Sequence, residues 1–166
     1  MKLMLLIFFT TANTVFAVKQ QEFPENIRKR YTMAPFNKEI CMQTLDILEN
    51  ITKSSRQTAY LGAFQIISAK HLFNPFKKLK IFSEGKKNLE KAVAQVPDDV
   101  EVRFIRMSIQ REIPGILNYK SDLEEDKKFI VNNYSHITDT ELQDLIFNFL
   151  NKNDMLTPEE EKMLKR

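Results

Sequence analysis

Apolar residues along this chain recur at spacings of three and four, and no run alternates apolar with polar positions as a half-buried strand would. Cys41, Leu45, Leu48 and Ile51 fall on one face of a helix expected from about Lys38 to Ile51. Ala59, Gly62, Ala63 and Ala69, interspersed with Ile66 and Ile67, mark a helix from Ser54 to about Phe73 whose small residues let a neighbour approach closely. Gly85, Leu89 and Ala92 line a segment running from Pro75 to Val96. Further stripes follow at Val102, Ile105 and Ile109, at Leu123, Ile130 and Tyr134, and at Leu142, Leu145, Ile146 and Phe149, before a short terminal helix ending in Met163 and Leu164. The pattern predicts an all-α fold of six or seven helices in antiparallel pairs.

The breaks between these stripes carry their own signals. Pro97 cannot continue a helix, because it lacks a backbone N–H and its ring clashes with the preceding turn. The spacing of Asp98 and Glu101 predicts a capping box that restarts the chain as a new helix. Ser54 with Gln57, Ser121 with Glu124, Thr138 with Glu141 and Thr157 with Glu160 repeat the device, the last with Pro158 at the first helical position. Asn74 before Pro75 is a cap and restart of the same kind. Pro114 and Gly115 end the helix that starts after Pro97.

The stretch from Gly85 to Gln110, GKKNLEKAVAQVPDDVEVRFIRMSIQ, joins one helix to the next across the Pro97 corner. Its order of small residue, large apolar residue, Ala92 and Pro97 resembles the second helix of a tetratricopeptide repeat. The match is degenerate: Gly85 stands for the usual Ala and Leu89 for an aromatic. Val102, Ile105, Arg106 and Ile109 occupy the places of Trp, Leu, Gly and Tyr. The run Arg103, Phe104, Ile105, Arg106, followed by Pro114 and Tyr119, is also similar to small exported tetratricopeptide-like proteins of Bacteroidota. The resemblance covers about the middle half of the chain. It implies antiparallel pairs stacked as a short tetratricopeptide-like α-solenoid with a concave binding face, and it brings no activity with it. An ordinary helical hairpin with a proline corner is the simpler alternative.

Residues 1–17, MKLMLLIFFTTANTVFA, have a basic start at Lys2, an apolar run from Leu3 to Phe9 and a small residue at Ala17. They read as a signal peptide cleaved near Ala17, which places the protein in the periplasm or outside the cell. Residues 18–37, with Pro24, Pro35 and the basic run Arg28, Lys29, Arg30, read as a loosely ordered, solvated lead-in, and residues 38–166 as the helical domain. Thirteen phenylalanines supply core bulk where tryptophan is absent. With 24 basic residues against 22 acidic once Lys2 is set aside, the charge is too balanced to imply nucleic acid. Cys41 is the single cysteine, so no internal disulfide is available, and its place in an apolar stripe makes it a buried small hydrophobe; a reactive thiol or an intermolecular bridge is the alternative.

Candidate chemistry is sparse. His71 and His136 stand alone, outside any metal-ligand spacing, and no nucleotide or nucleophile motif occurs, so no metal and no cofactor is implied. Asp122, Glu124, Glu125 and Asp126 sit where acidic residues complement the positive end of a helix dipole. Lys77, Lys78, Lys80, Lys86, Lys87 and Lys91 form a basic face that could meet a membrane surface or another anionic partner, though a solvated helix face explains it as simply. Arg103, Arg106, Arg111 and Tyr119 are the candidate binding residues, since guanidinium groups beside an aromatic can hold a carboxylate or peptide terminus in bidentate fashion. The competing role for Arg103 and Arg106 is internal pairing with residues 122–126. The expected function is thus an exported helical scaffold that binds a protein or peptide partner without catalysis. A small exported hydrolase using the acidic helix and a structural envelope subunit are the alternatives.

Overall fold

α3 (Ser55–Lys70) sets the architecture: every residue from 58 to 68 is buried in the computed structural model, which describes residues 24–51 and 54–165. The described residues form eight α-helices and two 3-10 turns, with no strand among them, and the fold is all-α. α3 is packed by α2 (Lys38–Asn50), α4 (Pro75–Gln95) and α5 (Val100–Glu112). α5 is nearly as enclosed, and α6 (Leu123–Asn133) and α7 (Thr140–Lys152) lie against it. α1 (Ile27–Met33) covers α2 at one end of the chain, and α8 (Pro158–Leu164) closes the other. Leu164 of α8 is buried, and Met163 beside it is exposed.

α3 and α4 run antiparallel and close together. Ser55 Oγ donates to Gln95 Oε1 at one end of the pair, and Asn88 Nδ2 donates to Gln65 Oε1 further along. Between them Gly62 faces Gly85: a Cβ built on Gly62 would lie 2.6 Å from the Gly85 carbonyl oxygen and 2.7 Å from the Leu89 nitrogen. The small residues read from the sequence are therefore what permits this backbone contact. Leu89 and Ala92 are buried beside it, as the stripe on α4 implies. Cys41 is fully buried, and its thiol, which burial pushes up to about 11, donates to the Phe64 carbonyl at 3.9 Å.

The caps follow the sequence in three places and depart from it in three. Ser54 with Gln57 and Thr157 with Glu160 form complete capping boxes, and Asn74 caps α4 ahead of Pro75. α5 is instead capped by Asp99, whose carboxylate accepts from the Val102 N–H at 3.0 Å. With Asp99 rather than Asp98 at the N-cap, Val102 takes the N3 position and Glu101 falls at N2, out of register for a reciprocal bond, and turns inward. α7 is capped by Asp139 rather than Thr138, and Glu141 is drawn to an arginine. Asp122, at the start of α6, makes no cap bond, because its carboxylate faces Ser121, Gln110 and Arg106.

The lead-in is the largest departure. Residues 18–23 lie outside the described residues, as do residues 1–17 with the cleavage site near Ala17, but residues 27–33 form α1 and bury Ile27 and Tyr31, with Ala34 just beyond. The Tyr31 hydroxyl is 2.6 Å from the Ser108 hydroxyl, and its ring packs edge-on against Tyr60. Ile27, Tyr31 and Ala34 recur at spacings of four and three, the helical pattern itself, obscured in the sequence by the basic residues between them.

Candidate functional site

Arg103, Arg106 and Tyr119 come together, and what they meet is the protein's own acid. Arg106 donates from Nε to Asp126 Oδ2 at 2.7 Å, from Nη2 to Asp126 Oδ1 at 2.8 Å and from Nη1 to Glu90 Oε2 at 3.1 Å. Arg103 reaches the same carboxylate from the side, with Nη1 at 2.6 Å from Asp126 Oδ1 and 3.0 Å from Glu125 Oε1. Its Nε donates to the Pro97 carbonyl, and its guanidinium lies over the Phe129 ring. The Tyr119 hydroxyl donates to Glu90, while Phe82 and the Lys86 ammonium pack on its ring. Arg111 stands apart, exposed, donating to the Asn153 carbonyl.

Asp126 is fully buried and Arg106 nearly so, so this is an interior ion pair linking α5 to α6. Burial alone would lower the affinity of Arg106 for its proton, but the bonds and charge of Asp126, with Glu90 and Asp122, raise it overall. Burial likewise pushes the Asp122 carboxyl up, and Ser121, Gln110 and Arg106 outweigh that and hold it below the usual range. Two guanidiniums face four carboxylates, Glu90, Asp122, Glu125 and Asp126. An incoming carboxylate would meet excess negative charge and occupied donors. The arrangement therefore suits a lock between helices better than a grip on an acidic ligand.

A second ionic cluster lies hidden in the lead-in. Arg28, read from the sequence as solvated, is 13% exposed and clamps Glu101 with Nε at 2.8 Å and Nη2 at 3.0 Å. Its Nη1 reaches Asp139 and Glu141, so one α1 side chain ties α5 to α7. Glu101 also accepts from the Tyr60 hydroxyl at 2.7 Å and pairs with Arg56. An open cleft of about 410 Å³ adjoins this cluster, lined by residues including Arg56, Asp98, Asn133, His136 and Thr138. Its central acids are already engaged by arginine or by helix caps. Among the described residues no group of three or more His, Cys, Asp and Glu is placed to hold a metal ion.

All four tyrosines have phenols displaced upward from 10.0, Tyr31, Tyr60, Tyr119 and Tyr134 each chiefly by burial, with Glu101 adding to Tyr60, Glu90 to Tyr119 and Asp144 to Tyr134. A phenol held protonated by the fold contributes stability that is complete below its unfolded pKa near 10 and is lost as pH rises beyond it. We expect tyrosinate absorbance to appear in one cooperative step above about pH 10, together with loss of helical circular dichroism. A gradual rise around pH 10 with the helical signal intact would show that these phenols are solvated.

One exposed cluster on the described surface is apolar. Phe36 is 79% exposed, Phe73 96%, Phe76 82% and Leu79 57%. These residues gather at one end of the molecule, because His71 Nε2 bonds the Ala34 carbonyl at 2.8 Å and so ties the α1–α2 turn to the C-terminus of α3. Lys70 of α3 lies over the Phe36 ring, and Phe73, Phe76 and Leu79 occupy the α3–α4 turn and the first turns of α4. The expectation that phenylalanine supplies core bulk fails here. Asn74 and Pro75 read as helix punctuation, and the two phenylalanines flanking that punctuation are the available signal. No family model, no curated protein and no solved structure matches this chain.

Proposed function

We propose that this protein is an exported, non-catalytic helical scaffold that docks onto its partner through the aromatic end formed by Phe36, Phe73 and Phe76. The observation that carries the reading is a contrast. The strongest charged groups of the fold, Arg28, Arg103, Arg106, Glu101 and Asp126, are consumed in ion pairs, whereas three phenyl rings at one end stand in water. Exposed large apolar residues gathered at one place mark interaction surfaces more often than isolated ones do. The packing of α3 by α2, α4 and α5 supports a short tetratricopeptide-like stacking of pairs, and the leader-like residues 1–17 support export to the periplasm or beyond. The carboxylates of the acidic helix favour the lock over a hydrolase, since Asp126 holds two arginines while Glu124 and Glu125 face solvent.

Fractionation of the native host tests this. The wild-type chain should sediment with the cell envelope, and Phe36→Ser/Phe73→Ser/Phe76→Ser should move to the soluble fraction while keeping its melting temperature. Equal retention of the two proteins would remove the aromatic end from the function.

A further inference from the structure

From the chemistry around these rings we infer that the partner is an anionic lipid surface, which the protein meets edge-on with the tip of the α3–α4 hairpin. The inference rests on the docking role just proposed and narrows its partner. Residues 70–83 carry Lys70, Lys77, Lys78 and Lys80 and no Asp or Glu. Phe73 and Phe76 are thus flanked along the chain by positive charge alone. The acid facing this end from neighbouring elements is Glu39, in the first turn of α2, with Lys38 beside it. A basic collar around apolar tips complements headgroups above and acyl chains below, and long lysine side chains can keep their ammonium groups at headgroup level while the rings descend.

Two further observations favour lipid over a protein partner. No ring–ring contact joins Phe36, Phe73 and Phe76 among the described residues, and the rings project from two turns and a helix start rather than lining a groove. A protein interface core is one packed patch, whereas a fluid bilayer accepts rings one at a time. No described helix is long and apolar enough to cross a membrane, so contact through this end is peripheral.

The sequence contains no tryptophan, so Phe73→Trp in the full-length chain supplies a silent-background probe at a 96% exposed site. On vesicles of phosphatidylcholine with phosphatidylglycerol, its emission should shift to the blue and be quenched by brominated acyl chains. Met163→Trp on α8 should do neither. Phosphatidylcholine alone should bind about tenfold or more weakly, and so should Lys70→Gln/Lys77→Gln/Lys78→Gln/Lys80→Gln on the anionic vesicles, as expected for several lysines near a charged surface. Unshifted, unquenched emission from the Phe73→Trp protein on the anionic vesicles would overturn the lipid assignment. If envelope retention still depended on the three phenylalanines, the docking role would stand and an acidic protein would be its partner; if it did not, both would fall.

Discussion

Asp126→Ala should lower the melting temperature by roughly 10–15 °C, the largest effect expected of any single substitution in the α5–α6 half of the fold. The carboxylate is fully buried and accepts from both Arg106 and Arg103, so its removal leaves two largely buried guanidinium groups facing each other. Breaking one partner out of a buried pair costs about 3–5 kcal/mol, because the remaining charge cannot recover its hydration. Glu90, Asp122 and Glu125 would compensate only in part, since they sit at the more exposed rim and each makes one contact with the guanidinium groups. The double change Asp126→Leu with Arg106→Leu should recover much of the loss, as no uncompensated charge then remains at the centre of the pair. Thermal unfolding followed by circular dichroism measures both variants. A loss of under about 3 °C for Asp126→Ala would mean that water reaches the site and that the pair is a surface one.

Gly62→Val is expected to destabilise almost as strongly, near the upper end of roughly 1–3 kcal/mol, or a fall of about 10 °C. The added Cβ meets the Gly85 carbonyl oxygen at 2.6 Å and the Leu89 nitrogen at 2.7 Å. Both are backbone atoms of a 21-residue helix, so relief requires α4 to move away from α3 as a body. That movement would also weaken the Ser55–Gln95 and Asn88–Gln65 bonds. Gly62→Ala should fall between wild type and Val, because its gain in helix propensity of about 1 kcal/mol offsets part of the strain. Gly115→Ala is the control: its Cβ would meet nothing within 4 Å, and stability should change by no more than about 0.5 kcal/mol. A neutral Gly62→Val would show that the two helices are farther apart than the contact implies.

The two substitutions probe different kinds of information. Gly62 and Gly85 were legible as small residues on helix faces, because a 3.6-residue period turns spacing into a face without knowledge of any partner. Which two glycines would meet was not legible, since that depends on the register of α3 against α4. Arg103 and Arg106 stood out as unusual among apolar positions, and their two possible roles could be named, yet their proximity to Asp126 depends on how α5 and α6 cross.

Local chemistry thus settled in the sequence what neighbours within four residues can settle. It determined the all-α class, the helix-breaking prolines, the complete caps at Ser54 and Thr157, and the apolar stripes of α2, α4 and α7. The tertiary structure decided how the remaining polar groups are used. Glu101 and Glu141 had the right spacing to close capping boxes, but both turn to Arg28, which lies 73 and 113 positions away from them along the chain. The same long-range packing turned Arg28 of the basic lead-in into a part-buried clamp and left three phenylalanines outside. Spacing decides which hydrogen bonds are possible within one helical turn, whereas which of them form, like burial and ion pairing, depends on which distant segment arrives, and no period in the sequence records that.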